Sequence, residues 1–436
     1  MRPIIIGSGM GGLTIGLILK KHKMEPIIFE KRSHVGGSFH SYKVGEYQVD
    51  TGLHMLTRGT TGELPMLMKK YIDPEIFQKK FIEQKTYEVC LRNKHDYMPT
   101  NLSKIMKFKV ISPKDRVSFT RMMIKFLRIT REGTDFDGSS YDYVKKYITS
   151  NDMLYFLNSL SWMCNGCSIK DGSLSRFLDT FIRQKKLSPQ FVLKNLAKSK
   201  GAEEDWYPIG GLKEIPKMFV DEGLDVRIQQ QVDEILIQDN TVVGVRIGKT
   251  THKTNMVIYG GLIRDLPQLT RNKINIPIPK TDEYKAITIW LGLNKKVYDW
   301  NGVSKIRVMQ SMDAPHWGLF ITDFDSSVAP EGHQLFGMST ILHKDKETMV
   351  KEMKRTINDF LPGYKNYLDM EHVQIVRAEK TLQKQGNDMF KLPDQKTNIK
   401  GLYVVGTDTQ GWGSGGTLCA DSANRCWKHI QNDYKF

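Results

Sequence analysis

The densest cluster of residues that could do chemistry lies near the N-terminus, where the chain reads Gly7-Ser8-Gly9-Met10-Gly11-Gly12. This spacing fits G-x-G-x-x-G and directly follows the β-branched run Ile4–Ile6. Such glycines permit a tight turn, a close approach of a pyrophosphate to the backbone and close packing of the next helix. Free N–H groups at the N-terminus of that helix would attract phosphate. The pattern predicts a dinucleotide site whose contacts include Gly7, Gly9, Gly11 and Gly12.

The elements around this cluster predict a βαβ unit. Residues Gly12 to Lys21 carry apolar side chains at helical spacing, and a second strand-like run, Pro26 to Phe29, ends at Glu30. A carboxylate at the end of the second strand accepts hydrogen bonds from a ribose diol. It would also repel a 2′-phosphate, so the sequence disfavours NADP at this site.

Two segments downstream narrow the choice of cofactor, namely Gly36-Gly37-Ser38 and Val49-Asp50-Thr51-Gly52-Leu53-His54. With them the sequence resembles the FAD-dependent oxidoreductases that include phytoene desaturases, carotenoid isomerases, retinol saturases, amine oxidases and protoporphyrinogen oxidases. The resemblance implies FAD as cofactor, with the double glycine along it and the D-x-G segment near the flavin. Many relatives have Arg after the double glycine, and Ser38 favours the carotenoid isomerase and retinol saturase side. Lys31 joins the predicted cofactor contacts, and His54 is a weak catalytic candidate.

The resemblance extends along most of the chain. Tyr207-Pro208-Ile209-Gly210-Gly211-Leu212 resembles the Y-P-x-G-G-x turn, and Val232 begins a segment similar to the strand whose Val backbone reads the adenine. Ser327 to Gly332 is similar to a turn in the substrate domain of carotenoid desaturase-like members.

The C-terminal segment departs from the family pattern. Gly401 to Gly406 looks like the last strand before the flavin, but relatives of the amine oxidase type place Asp directly after the glycine. Here Thr407 intervenes, so either Asp408 takes the contact to the ribityl chain or Thr407 fills it weakly. A glycine-rich run then suits a helix N-terminus at the flavin edge. The contacts predicted in this region are Gly406, Asp408, Gly415, Gly416 and Thr417.

The length and the order of these motifs predict an α/β protein with two interleaved domains. A chain of 436 residues is too long for one compact core. We predict a Rossmann-like FAD-binding domain of the glutathione-reductase type from residues 1–75, 205–265 and 395–436. Residues 76–204 and 266–394 would form a mixed-sheet and helical substrate domain, with 76–204 mostly helical.

Composition and charge bear on location and partners. The net charge of +16 and the pI near 9.3 predict attraction to polyanions, yet the chain shows no nucleic-acid reader motif. No apolar stretch approaches the roughly 18 residues of a membrane-spanning helix, and the start of the chain leaves no room for a signal peptide. Five cysteines are too few for a disulfide framework. We therefore expect a cytoplasmic protein that does not bind nucleic acid.

A basic insert leaves two interpretations open. Its cations alternate with apolar residues, which fits a helix lying on the anionic inner face of a membrane or a cap over a substrate cavity. The cations are Lys104, Lys107, Lys109, Lys114, Arg116, Arg121, Lys125, Arg128 and Arg131.

Other reactive residues predict no separate site. Cys164 and Cys167 form a C-x-x-C without a second ligand pair, so packed thiols are favoured over a redox or zinc site. Cys419 and Cys426 are spaced i, i+7 on one predicted helix, as core residues are. The histidines are scattered without ligand spacing, and no metal site is predicted.

The resemblance implies an FAD-dependent oxidoreductase that acts on C–C bonds of a long apolar isoprenoid by hydride transfer to flavin N5. The direction stays open between desaturation, saturation and isomerisation. An amine oxidase or protoporphyrinogen oxidase-like enzyme is the first alternative. The second is a prenyl-binding escort protein of the GDP-dissociation-inhibitor type, which the intact glycine set and Glu30 argue against.

Overall fold

The computed structural model describes residues 2–57, 59, 62–99, 101–132, 138–181 and 205–434. The β-strands in this part of the chain are β1 (Ile4–Ile6), β2 (Ile27–Phe29), β3 (Ser41–Val44), β4 (Tyr47–Asp50), β5 (Phe81–Glu83), β6 (Thr86–Leu91), β7 (Lys94–Tyr97), β8 (Trp206–Pro208), β9 (Asp225–Arg227), β10 (Glu234–Gln238), β11 (Thr241–Ile247), β12 (Thr250–Lys253), β13 (Val257–Tyr259), β14 (Asp282–Leu293), β15 (Val303–Arg307), β16 (His316–Phe320), β17 (Gln334–Ile341), β18 (Leu368–Lys380) and β19 (Leu402–Val404).

The helices lie mainly between these strands. They are α1 (Met10–Lys21), α2 (Glu63–Tyr71), α3 (Ile76–Lys80), α4 (Leu102–Lys107), α5 (Pro113–Glu132), α6 (Ser140–Lys145), α7 (Asn151–Asn165), α8 (Leu174–Phe181), α9 (Glu214–Asp221), α10 (Leu266–Leu269), α11 (Lys346–Phe360) and α12 (Gly415–Tyr434). Among the described helices none combines the length and the apolar character that crossing a membrane requires.

A five-stranded sheet in the order β19-β13-β1-β2-β9 forms the centre of the first layer, and all its pairs are parallel. Its short strands are largely buried, as expected for a parallel sheet covered by helices. Helix α1 joins β1 to β2, which confirms the predicted βαβ unit. Helices α1 and α12 pack against each other beside the sheet, so the N-terminal and C-terminal motifs lie side by side.

A seven-stranded mixed sheet forms the second layer, in the order β18-β14-β17-β16-β15-β6-β7. Its long central strand β14 pairs antiparallel with both β17 and β18, and helix α11 packs on one face. The sheet also includes β6 and β7 from the stretch 76–204, whose described residues otherwise lie mainly in helices. Strand β6 pairs parallel with β15 and antiparallel with β7.

A small three-stranded sheet, β10-β11-β12, contains a tight hairpin turn. Asp239 and Asn240 join β10 to β11 with φ angles of 46° and 55°, as a tight hairpin requires. The strands of the parallel sheet come from 4–29, 225–259 and 402–404, which lie inside the segments assigned to the FAD-binding domain. The domain boundaries themselves stay a prediction.

His316, on β16, generates a prediction about acid stability. Its side chain is buried, and its Nδ1 lies 2.7 Å from the hydroxyl of Thr356 on α11. Burial, with help from the charges of Arg307, His343 and Lys344, lowers the pKa of His316 to about 4.

Because the folded-state pKa lies below the ordinary value of 6.5, the unfolded chain takes up this proton first as the pH falls. The contribution of His316 to the free energy of unfolding is complete above about pH 6.5 and is lost as the pH falls towards 4. About 2 kcal/mol of it is lost between pH 7 and pH 5. Urea unfolding of the wild type and His316→Gln at both pH values measures it. The variant should lose about 2 kcal/mol less on acidification; an equal loss would contradict the assignment.

Candidate functional site

The glycine cluster forms a closed turn between β1 and α1, here called the dinucleotide loop (Gly7–Gly12). The N–H of Gly7 donates to the carbonyl of Phe29 at 2.8 Å, which ties the loop to the end of β2. A β-carbon at position 12 would overlap the carbonyl oxygen of Gly7, so the turn closes only with glycine at Gly12. A β-carbon at Gly9 would meet no atom within 4 Å, so this face of the loop is open to a ligand.

Helix α1 begins at this open face without a side-chain cap. Gly9 is its N-cap and offers no side-chain acceptor, and the first turn contains no acidic residue. The N–H groups of the first helical residues therefore retain the partial positive charge that binds a phosphate.

Glu30 is buried and bound to the dinucleotide loop. One carboxylate oxygen accepts hydrogen bonds from the backbone N–H and the hydroxyl of Ser8, both at 2.8 Å, and the other accepts the N–H of Arg32 at 2.8 Å. A carboxylate has about four acceptor positions, so roughly one stays available for a ribose hydroxyl. Glu30 thus has a structural role that the motif alone does not reveal, and its ribose contact stays a prediction.

The double glycine lies against the dinucleotide loop. The N–H of Gly36 donates to the carbonyl of Ser8 at 2.9 Å, and Gly9 and Gly36 form a parallel bridge. Lys31 and Ser38 are exposed beside it. Two of the predicted cofactor contacts, Gly36 and Gly37, therefore lie next to Gly9. The other two, Lys31 and Ser38, lie on the protein surface near the double glycine.

Val232 lies just before β10, and its side chain is packed in the core beneath the parallel sheet. Within the described residues no hydrogen bond uses its backbone N–H or carbonyl. Both groups are therefore available for the adenine contact that the resemblance implies, and that contact stays a prediction.

The C-terminal segment reaches the same loop. A β-carbon at Gly11 would lie 3.3 Å from the Cα of Gly406, which places the end of β19 against the start of α1. At the start of α12, Gly415 is exposed, Gly416 is half-buried and Thr417 is buried.

Asp408, two residues after Gly406, is buried. Its Oδ2 accepts the N–H of Ile263 at 2.9 Å, and its Oδ1 has no hydrogen bond among the described residues. Burial raises the pKa of this carboxyl above its ordinary value. Thr407 is half-buried, and which of the two residues faces the ribityl chain stays a prediction.

The D-x-G segment is fixed by a buried carboxylate. Asp50 accepts hydrogen bonds from the hydroxyl of Ser41 at 2.6 Å, the hydroxyl of Tyr207 at 2.7 Å and the N–H of Leu212 at 3.1 Å. The D-x-G segment and the Y-P-x-G-G turn therefore bind each other. Gln374, on β18, accepts the N–H of Gly52 at 2.7 Å, so the mixed sheet holds the same segment. His54 follows on this turn with an exposed side chain, and its chemical role stays a prediction.

A buried ionic cluster that sequence reasoning missed holds the glycine-rich loop before α12. Arg176, on α8, is 1% exposed and donates to the carbonyl of Gly411 at 2.8 Å. Asp179 accepts the N–H of Gly413 at 2.9 Å. Burial lowers the pKa of Arg176 to about 10, although Asp179, Asp388 and Asp421 oppose the shift. Helix α8 thereby fixes the loop that precedes α12.

These features fit a bound dinucleotide. The open face at Gly9, the uncapped N-terminus of α1 and the unused backbone groups of Val232 are the donors and space that such a ligand requires.

Comparison with known proteins agrees with this geometry. Residues 5–71 match the model of the NAD(P)-binding Rossmann-like domain. A prolycopene isomerase of Daucus carota is 21% identical over 99% of this chain and 80% of the isomerase. A 1-hydroxycarotenoid 3,4-desaturase of a Flavobacterium species is 22% identical over 59% of this chain and 56% of that enzyme. An uncharacterized protein of Methanocaldococcus jannaschii is 34% identical over 25% of this chain, which spans only 27% of that relative.

Solved structures share the fold. An oxidoreductase from Methanosarcina mazei aligns with a TM-score of 0.74 at 17% identity, covering 98% of this chain and 100% of that one. Cyclohexylamine oxidase from Brevibacterium oxydans gives 0.68 at 11% identity, over 100% and 99% of the two chains. Rab GDI from Plasmodium falciparum gives 0.60 at 11% identity, over 99% and 98%.

The chain contains an NAD(P)-binding Rossmann-like domain and has the overall fold of the solved oxidoreductase structures. In sequence it is similar to carotenoid isomerases and desaturases. The predicted fold class and the predicted resemblance are confirmed.

A matched pair of variants tests the dinucleotide loop. Gly12→Ala should destabilise the fold by about 1–3 kcal/mol, because its β-carbon overlaps the carbonyl of Gly7. Gly9→Ala should change stability by less than about 0.5 kcal/mol, since its β-carbon points into open space. It should nevertheless weaken binding of added FAD. Urea unfolding without FAD and quenching of FAD fluorescence measure the two effects. Wild-type FAD affinity in Gly9→Ala would show that the ligand does not approach this face.

Proposed function

We propose that the protein binds FAD at the dinucleotide loop and acts on C–C bonds of a long apolar isoprenoid. The observation that carries this proposal is the similarity to a prolycopene isomerase over 99% of the chain, combined with an intact dinucleotide loop. Bound FAD would supply the two-electron redox chemistry that desaturation, saturation or redox-assisted isomerisation needs.

The side chains near the D-x-G segment support an apolar substrate. Leu53, Trp290, Leu319 and Leu335 belong to one buried cluster beside it. The residues from Ala286 to Leu293 of β14 are all buried as well. Apolar surroundings of this kind would exclude water from a hydrocarbon chain bound beside the D-x-G segment.

The chain's own polar groups would position the reaction partners. Asp50 and Gln374 fix the D-x-G segment from two sides, and Arg176 with Asp179 fixes the loop before α12. The partners would be held between two immobilised segments, and such positioning accounts for a large part of the rate in many enzymes. We assign no catalytic acid or base.

The test begins with the visible absorption spectrum of the purified protein and mass spectrometry of the released cofactor. Oxygen-free mixing with carotenoid or polyprenyl substrates in detergent, and separately with soluble amines, then follows the flavin bands. We expect released FAD, and a change of flavin absorption or product formation with the isoprenoid only.

Other results would favour the alternatives. Reduction by amines would replace the proposal with an amine oxidase, in line with the fold shared with cyclohexylamine oxidase. A protein that could not be loaded with FAD and bound prenylated protein would replace it with an escort function, in line with the fold shared with Rab GDI.

We also propose that α4 and α5 dock on an anionic membrane, from which a lipid-like substrate could be taken. Phe119, Met122 and Met123 of α5 are buried, so part of this stretch is a packed cap, as the second interpretation of the basic insert predicts. The outward side carries Met106, Val117 and Ile124, which are 45%, 39% and 43% exposed. The same stretch of chain carries six exposed cations, namely Lys104, Lys107, Lys109, Lys114, Arg121 and Lys125.

Lipid vesicles test this docking surface. Neutralising Lys104, Lys107 and Lys109 to Gln should weaken binding to vesicles containing phosphatidylserine at least about tenfold at low salt, since each basic residue near the surface contributes about 1 kcal/mol. A control with Lys346, Lys351 and Lys365 changed to Gln has the same net charge, with its changes in and just after α11. Sedimentation with vesicles is the measurement. An equal loss of vesicle binding in both triple variants would indicate non-specific electrostatic attraction and would contradict the proposed docking surface.

A further inference from the structure

Three side chains that can bind a metal, those of a Glu, a Cys and a His, lie together at the β7 edge of the mixed sheet. This edge is opposite the edge formed by β18. Glu88 and Cys90 lie two residues apart on β6 and share one face, and His95 lies directly opposite Cys90 on β7. The Sγ of Cys90 is 3.1 Å from Nδ1 of His95, and Oε1 of Glu88 is 3.3 Å from the same nitrogen. All three donor atoms lie within 4.8 Å of one another.

The arrangement does not suit a catalytic relay. In a Cys-His-carboxylate relay the thiol and the carboxylate bind opposite nitrogens of the imidazole. Here both face Nδ1, so a single ring nitrogen, which holds at most one proton, serves both neighbours. A cation in the shared space would satisfy all three groups at once.

We propose that Glu88, Cys90 and His95 bind a zinc-class divalent cation, with solvent as the fourth ligand. Zinc takes thiolate at about 2.3 Å and imidazole or carboxylate at about 2.0–2.2 Å in tetrahedral sites, which separates neighbouring ligand atoms by about 3.4–3.6 Å. Nδ1 of His95 lies 3.1 Å from the Cys90 Sγ and 3.3 Å from the Glu88 Oε1, so both distances need to grow by only a few tenths of an ångström to bind the ion. The ion clips the exposed edge strand β7 to β6.

The surrounding charges are compatible with the ion. Lys305 lies 3.1 Å from Oε2 of Glu88, which leaves Oε1 for the metal. The charge of Arg307 is paired with Asp359 at 3.1 Å. Burial raises the pKa of the Cys90 thiol to about 11, so metal uptake has to release its proton.

The probe ions are cobalt and zinc, added to the full-length protein without a histidine tag. Cobalt should bind with one ion per chain and produce the absorption of a thiolate-bound tetrahedral ion, and zinc should displace it. His95→Ala should weaken binding by more than roughly a hundredfold, because loss of a ligand exceeds the tenfold to hundredfold effect of a lost second-layer partner. The His95 side chain is 51% exposed, so this variant should fold.

Two further variants complete the experiment. Glu88→Gln should weaken cobalt binding while keeping the thiolate absorption, and Cys90→Ser should remove that absorption. Cys167→Ser is the matched control, since this thiol is also buried but contacts the carbonyl of Gln383 instead of a His. Absence of thiolate absorption in the wild type, or unchanged affinity in His95→Ala, would overturn the site. Neither result depends on FAD, so this outcome is separate from that of the proposed function.

Discussion

The structure depends on one buried carboxylate, that of Asp50. It binds Ser41 in its own hairpin and Tyr207, 157 residues further along the chain, so it joins two segments that the intervening residues separate. Burial raises the pKa of Asp50, and a buried carboxylate without such donors would be strongly destabilising. Its three hydrogen bonds therefore favour one arrangement of the D-x-G segment and the Y-P-x-G-G turn. Gln374 of the mixed sheet holds the same D-x-G segment through Gly52.

The parts of the fold that could be predicted from the sequence are those with a local cause. β1, α1 and β2 follow from a β-branched run, a glycine cluster and helical spacing, and Asp239-Asn240 is a turn by its own backbone preference. Strand β7 (Lys94–Tyr97) could not be predicted in this way. Its sequence is polar like that of a loop, and only pairing with β6 makes it an edge strand.

The same distinction divides the candidate site. The dinucleotide loop could be identified from the sequence because its closed turn has no room for a side chain at Gly12, so the requirement for glycine is local. Arg176 could not, since the carbonyl it binds is 235 residues away and nothing near Arg176 signals it. Glu88, Cys90 and His95 lie close in sequence, yet their spacing becomes meaningful only with the β6–β7 register, which brings Cys90 opposite His95.

The order of strands in the parallel sheet has a consequence for biosynthesis. β1 and β2 are made first, but β13, which pairs with β1, and β19, which pairs with β13, lie at 257–259 and 402–404. At roughly 5–20 residues per second, the ribosome needs about 11–46 s to proceed from β2 to β13, the partner of β1. During that time the apolar edge of Ile4–Ile6 is unpaired. The nascent chain therefore exposes an apolar strand edge, which chaperones could bind, long before the dinucleotide site is complete.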